Sequence, residues 1–258
     1  MSAVEKVIRI SHEFRILGKH APESPSLDFE YNGVRFNQGS FPQFAGLCAV
    51  DRKGNVEGMM KCLQQFGQQC TRMGAYKPRT NPYSFQGHGL DCLTYVFELA
   101  GKYGIRVIAM EVTHEKQLEE IDQTLEHCGR PTGVIFCLRG MKTSFNTPHR
   151  NMVDFAHVPV IKRMTRMPVC IDPSHSVGTR AISSDGIPDI FHATAQGLVA
   201  GANMVLVDFH PNPAEALVDG PQALTLDELP LFLEDVELIR ETYLKRQQNF
   251  KAVPKFHA

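Results

Sequence analysis

Apolar residues gather into six short continuous runs, at 44–50, 69–76, 106–112, 133–138, 167–171 and 204–209. Short runs without alternation suit parallel strands buried on both faces, because such strands have no solvated side to fill with polar residues. Between the runs, apolar positions recur with a helical period. Val56, Met59, Met60, Leu63 and Phe66 form one stripe, Leu93, Val96, Phe97 and Ala100 a second, and Leu118, Ile121, Leu125 and Cys128 a third. The last helix opens at Thr225-Leu-Asp-Glu228, where hydroxyl and carboxylate can satisfy exposed backbone N–H groups, and it runs toward Lys245. Near the N-terminus, Asn32-Gly33 separates short β patterns at 28–31 and 34–36 and predicts a two-residue hairpin. Alternating strands and helices predict an α/β protein, a contracted or open (β/α) barrel of about six parallel strands plus the N-terminal β-hairpin. No repeat or low-complexity linker divides the chain, so residues 1–258 read as one domain with residues 1–40 as its hairpin extension.

Composition narrows the function classes. The 258 residues carry 27 basic and 28 acidic side chains, a formal net charge of −1, so no global field favours nucleic acid or anionic lipid. No apolar run reaches the length of a membrane span and the first residues lack a signal-peptide core, so a cytoplasmic protein is expected. Seven cysteines without a Cys-x-x-Cys pair suit free thiols in a reducing compartment. An open barrel leaves a strand edge that another chain or the N-terminal hairpin should cover, and the expected partners are a small-molecule substrate and further copies of the chain in a homo-oligomer.

The polar residues then fall at the ends of the apolar runs, where barrels build their sites. Cys48 ends the first run and Glu111 the third, Arg139 follows the fourth, Asp172 and His175 follow the fifth, and Asp208 and His210 end the sixth. Each is ordinary alone: a core thiol, a loop histidine, a helix cap. The stretch 74–87, Gly-Ala-Tyr-Lys-Pro-Arg-Thr-Asn-Pro-Tyr-Ser-Phe-Gln-Gly, is more pointed. It sets Lys77, Arg79 and Thr80 around Pro78 in a stiffened turn, a donor cluster suited to a phosphate or sugar hydroxyl.

That stretch resembles the aldose-phosphate loop of 3-deoxy-D-arabino-heptulosonate 7-phosphate (DAHP) synthases of the microbial class I type. The resemblance extends over most of the chain. Ala45-Gly-Leu-Cys-Ala-Val-Asp51 is similar to the family's first-strand motif with its metal-binding cysteine, and Ile171-Asp-Pro-Ser-His175 to its metal-histidine motif. Val207-Asp-Phe-His-Pro-Asn-Pro213 and Asp219-Gly-Pro-Gln222 resemble the segments that supply two acidic ligands. The resemblance implies a TIM-barrel-like fold and a divalent-metal site at Cys48, His175, Asp208 and Asp219, a mixed donor set suited to manganese, iron(II), cobalt or zinc. It also implies the family's reaction, addition of phosphoenolpyruvate to the aldehyde of erythrose 4-phosphate. Lys77, Pro78, Arg79 and Thr80 would serve the aldose phosphate, Arg72 and Arg139 the phosphoenolpyruvate cradle, and Arg180 a further anion contact. Lys77, Arg79 and His175 are the expected catalytic residues; His149 and Arg150 receive no role.

The chain also departs from the family pattern. Two strand–helix units are missing between Glu111 and Cys137, roughly forty residues that a complete eight-stranded barrel needs. With them go a Gly-Ala-Arg motif and a strand-end lysine expected to bind phosphoenolpyruvate. Leu138 stands where glutamate is usual, Leu47 and Ala49 replace Pro and Ser around Cys48, and Asp208 replaces a glutamate. The reading favoured is a metal-dependent aldolase or lyase acting on a phosphosugar or keto-sugar acid, with altered or lost phosphoenolpyruvate use. The alternatives are a genuine DAHP synthase with a rebuilt site and a non-catalytic binding or regulatory homologue.

Overall fold

The computed structural model describes residues 19, 21, 24–77, 79, 81–111, 135–145 and 148–251. Strands β1 (Phe29–Tyr31) and β2 (Val34–Phe36) form the expected antiparallel hairpin, with Tyr31 opposite Val34. Asn32 and Gly33 both take positive φ, 48° and 76°, the mirror-image turn whose twist matches its strands and which Asn-Gly adopts with little strain.

The six apolar runs become β3 (Gln43–Leu47), β4 (Cys70–Met73), β5 (Val107–Ala109), β6 (Phe136–Leu138), β7 (Val169–Ile171) and β8 (Met204–Asp208). They form one all-parallel sheet in the order β5-β4-β3-β8-β7-β6. The first and last of these strands are thus central neighbours, as in a barrel opened between β5 and β6. The joining segment 112–134, with the third helical stripe, lies outside the described residues.

Helices α1 (Lys53–Gln65) and α2 (Leu90–Tyr103) follow β3 and β4. Then come α3 (Val158–Met164), α4 (Pro173–Val177), α5 (Asp189–Val199) and α6 (Leu229–Lys251). In α1 the stripe buries Val56, Met59, Met60 and Leu63, worth about 1.5–3 kcal/mol per side chain. Phe66, which the period also includes, is the residue just past the helix end and is exposed. The capping pattern at Thr225 forms, with its N–H donating to Glu228 Oε2 at 2.6 Å, and α6 continues to Lys251, beyond the expected end.

Strand parity sorts the side chains into two cores. Ala45, Leu47, Met73, Val169, Ile171, Val205 and Val207 pack with helical residues such as Met60, Leu93, Ile190 and Phe232. On the opposite face Phe44, Cys70, Cys170 and Met204 pack with Phe36 of the hairpin, whose ring stacks on Phe29 and Phe44. That second face, continued to the C-terminal ends of the strands, carries Cys48, Arg72, Glu111, Arg139, Asp172 and Asp208, each two or four residues beyond a position on the same face. Gly46 lies between Phe44 and Cys48 on this face; a Cβ there would stand 2.2 Å from the Arg72 carbonyl oxygen. Only glycine lets β3 and β4 approach so closely.

Candidate active site

Four side chains that sequence reading groups only by resemblance converge in space. One ligand atom from each of Cys48, His175, Asp208 and Asp219 lies within 4.8 Å of the others. Cys48 follows the end of β3, and its Sγ is 3.0 Å from Asp219 Oδ2 and 3.8 Å from His175 Nε2. His175 sits on α4, a single turn started by Pro173 and capped by Asp172, and Gly178 ends it with φ of 77°. Asp172 acts twice: its Oδ1 accepts from the His175 backbone N–H at 3.0 Å, and its Oδ2 lies 2.8 Å from His175 Nδ1. One carboxylate therefore both builds the turn and sets the ring. Asp208 ends β8, fully buried. Asp219 precedes a 3₁₀ turn, Gly220–Gln222, and has φ of 55°, a left-handed backbone that aspartate tolerates better than most residues.

Opposite charges decide the protonation of this centre. Burial would lower the His175 pKa, but hydrogen bonds to Asp172, Asp219 and Cys48 and the charge of Asp208 outweigh it and push it up to about 11. Asp219 is the mirror case: burial pushes it up, and His175, Cys48 and Arg150 hold it well below the usual carboxylate range. The Cys48 thiol is pushed up by burial and by Asp208, against the opposing effects of Arg72, His175 and Lys77. Without metal the centre is thus an imidazolium–carboxylate cluster with a neutral thiol, and a bound cation would displace those protons. A soft thiolate, an imidazole and carboxylates fit a borderline transition metal better than magnesium.

Beside the cluster lies a cavity of about 210 Å³ lined by Lys77, Arg79, Glu111, Arg139, Arg150, His175 and Asp219. The loop carrying Lys77 and Arg79 closes on itself, with the Lys77 N–H donating to the Gln86 carbonyl at 2.8 Å and Gln86 Nε2 donating to the carbonyls of Asn81 and Ser84. Lys77 is buried and ion-paired with Glu111. Burial pushes the Glu111 carboxyl up, but Lys77, Arg72 and Arg139 bring it below its ordinary value. Arg139 lies 3.4 Å from Asp172 and 3.7 Å from Glu111. Arg79 makes the longest of the cavity's ion pairs, 4.0 Å to Asp219.

Two expected anion contacts sit elsewhere. Arg72 lies beneath the cavity, buried, with its Nη1 on Asp208 Oδ1. Arg180 does not line the cavity; its Nη2 donates to both Glu228 oxygens at 2.8 Å. Pro78 and Thr80 lie outside the described residues. His210, a strand-end candidate, is held by Asp51 at 2.6 Å and takes no part in the cluster.

Sequence reading gave no role to three contributors. Asp172 was legible only as a strand-end candidate beside His175; its cap on the turn and its bond to the ring were not. Arg150 donates to Asp219 Oδ1 at 2.8 Å and to Gln222 Oε1 at 3.1 Å, while Gln222 Nε2 donates to Asp208 Oδ2 at 2.5 Å. No local pattern marks Arg150, which reaches this site across 69 residues of sequence.

A parallel half barrel with a metal-capable cluster beside a basic cavity at its C-terminal rim defines an aldolase-type barrel. The chain belongs to the DAHP synthetase I family, whose model matches residues 37–128 and 117–244. The chain is 28% identical over 286 aligned positions to phospho-2-dehydro-3-deoxyheptonate aldolase of Thermotoga maritima, covering 93% of this chain and 81% of the relative. It is 37% identical over 126 positions to 2-dehydro-3-deoxyphosphooctonate aldolase of Bordetella petrii, covering 47% of this chain and 43% of that relative. The crystal structure of the Thermotoga maritima enzyme superposes with a TM-score of 0.74 at 26% identity, covering 94% of this chain and 80% of that one. The chain's chemistry class is thereby aldol-type carbon–carbon bond chemistry.

Proposed function

We propose that this protein is a metal-dependent aldol-type enzyme acting on a phosphorylated sugar or keto-sugar acid, with phosphoenolpyruvate use altered or lost. The observation that carries the reading is the convergence of Cys48, His175, Asp208 and Asp219 within 4.8 Å beside a cationic cavity. Both relatives are named for phosphorylated 2-dehydro-3-deoxy sugar acids, which fits a ligand bearing one phosphate and one oxygen-rich chain. A bound divalent cation would supply Lewis acidity to a carbonyl oxygen. The protein's own part is binding and orientation. Asp172 fixes the His175 tautomer, and Arg79, with its loose ion pair, is the cation readiest to turn toward an incoming phosphate.

The same charges argue against ordinary phosphoenolpyruvate binding. Arg72 is committed to Asp208, Arg139 to Glu111 and Asp172, and Leu138 offers no polar group. A trianionic ligand would have to break those pairs, and each charge-assisted bond forgone is worth roughly 1.5–3 kcal/mol. The test is to incubate metal-reconstituted protein with phosphoenolpyruvate plus erythrose 4-phosphate, and separately with the 3-deoxyheptulosonate 7-phosphate product, following 2-keto acid by chemical assay. Slow or absent condensation together with binding or cleavage of the sugar-acid phosphate supports the proposal. Rapid heptulosonate formation would show a genuine synthase, and absence of both metal and ligand binding a non-catalytic relative.

A further inference from the structure

We propose that only three residues of the centre, Cys48, His175 and Asp219, ligate the metal directly, and that Asp208 instead serves as the buried counter-charge of Arg72, leaving the ion a position open toward the cavity. This inference rests on the metal-dependent reading above. The two nitrogens of His175 face different neighbours. Nδ1 is held by Asp172, at 2.8 Å from Oδ2 and 3.0 Å from Oδ1, and a proton kept there directs the lone pair to Nε2. Nε2 is the nitrogen that faces Asp219 Oδ2 at 3.4 Å and Cys48 Sγ at 3.8 Å, and those two are 3.0 Å apart. Three donors at such separations are close to the edges of a zinc-type tetrahedron, about 3.3–3.6 Å from the usual bond lengths.

Asp208 is placed differently. Its nearest approach to the ring is Oδ2 to Nδ1, 3.8 Å, on the nitrogen that Asp172 already holds. Both its oxygens are also engaged at 2.5 Å: Oδ1 accepts from Arg72 Nη1, and Oδ2 accepts from Gln222 Nε2. The pair with Arg72 is fully buried, so turning Asp208 to a metal would strand a guanidinium out of water. A glutamate would reach one methylene further; aspartate does not. Gln222 and Arg150 reinforce the division, because Arg150 occupies Asp219 Oδ1 and leaves Oδ2 for the cluster. Consistent with an open position, His175 and Asp219 line the cavity, while Cys48 and Asp208 lie behind them.

The experiment is cobalt(II) reconstitution of the full chain, read by the thiolate charge-transfer band, the ligand-field bands and affinity against a competing chelator. Cys48→Ala should abolish the charge-transfer band. Asp219→Asn should weaken binding by more than about a hundredfold. Asp208→Asn, and the double variant Arg72→Met with Asp208→Leu, which removes the buried pair as a unit, should keep the wild-type bands and lose less than about tenfold in affinity. Either Asp208 variant folding yet losing cobalt as severely as Asp219→Asn, or showing altered ligand-field bands, would establish four ligands and overturn this inference alone. Wild-type protein that takes up no cobalt would overturn both the inference and the metal-dependent function.

Discussion

The two halves of the rim are built on different ground. The half that we propose holds the metal comes from the ends of β3 and β8, the turn after β7 and the segment after β8, and these three strands lie side by side within the sheet and keep a partner on each side. Cys48, His175 and Asp208 are buried, Asp219 is partly buried, and each is fixed by at least one other. The half that we propose binds substrate comes from the loop after β4 and from the ends of β5 and β6, the two outermost strands of the sheet order. Its arginines are partly exposed, 30% for the Arg79 side chain and 46% for Arg139. The segment between β5 and β6, where the sequence is shorter than the family pattern, therefore adjoins the substrate half and not the metal half. A barrel's chemistry can be divided along its sheet.

The largest expected effect comes from breaking the metal half. Cys48→Ala or His175→Ala should remove bound metal, measured by elemental analysis, and lower activity by about a thousandfold, since Lewis-acid stabilisation is worth several kcal/mol. Acidity should do nearly as much. His175 titrates near pH 11 without metal, and the Cys48 thiol is also raised, so each bound ion displaces two protons at neutral pH. Metal affinity should then rise with pH, by about a hundredfold per unit for two protons released, in chelator competition between pH 6 and 8. A flat profile would show that the cluster is not protonated as its geometry implies.

Smaller changes sharpen the contrast. Asp172→Asn keeps the shape of α4 but loses the charge that fixes the His175 ring, and metal affinity should fall about 10–100-fold. On the other half, Arg79→Ala should weaken binding of an aldose phosphate by about tenfold to a hundredfold in calorimetry while metal content stays unchanged. Loss of metal in Arg79→Ala would dissolve the distinction between the halves. Arg180→Ala should change neither ligand nor metal binding, and its partly exposed pair with Glu228 should cost no more than about 1 kcal/mol in denaturant unfolding.

Much of this was written in the chain before folding. Continuous apolar runs specified six strands because a strand covered on both faces can carry little else. Asn32-Gly33 and Thr225 to Glu228 specified a turn and a helix start through bonds that span a few residues. Ligand-type residues at strand ends, two or four positions beyond the inner core residues, marked the rim and its chemistry. What the tertiary structure alone decided is the partnership of charges. Arg72, Arg139 and Arg180 look alike in sequence, yet one is buried on Asp208, one sits at the cavity mouth and one is spent on Glu228. Arg150 looked idle until the fold set it on Asp219. Coulomb and hydrogen-bond energies depend on distances between groups up to 171 residues apart in this site, and no local pattern encodes a distance that only closure of the sheet creates.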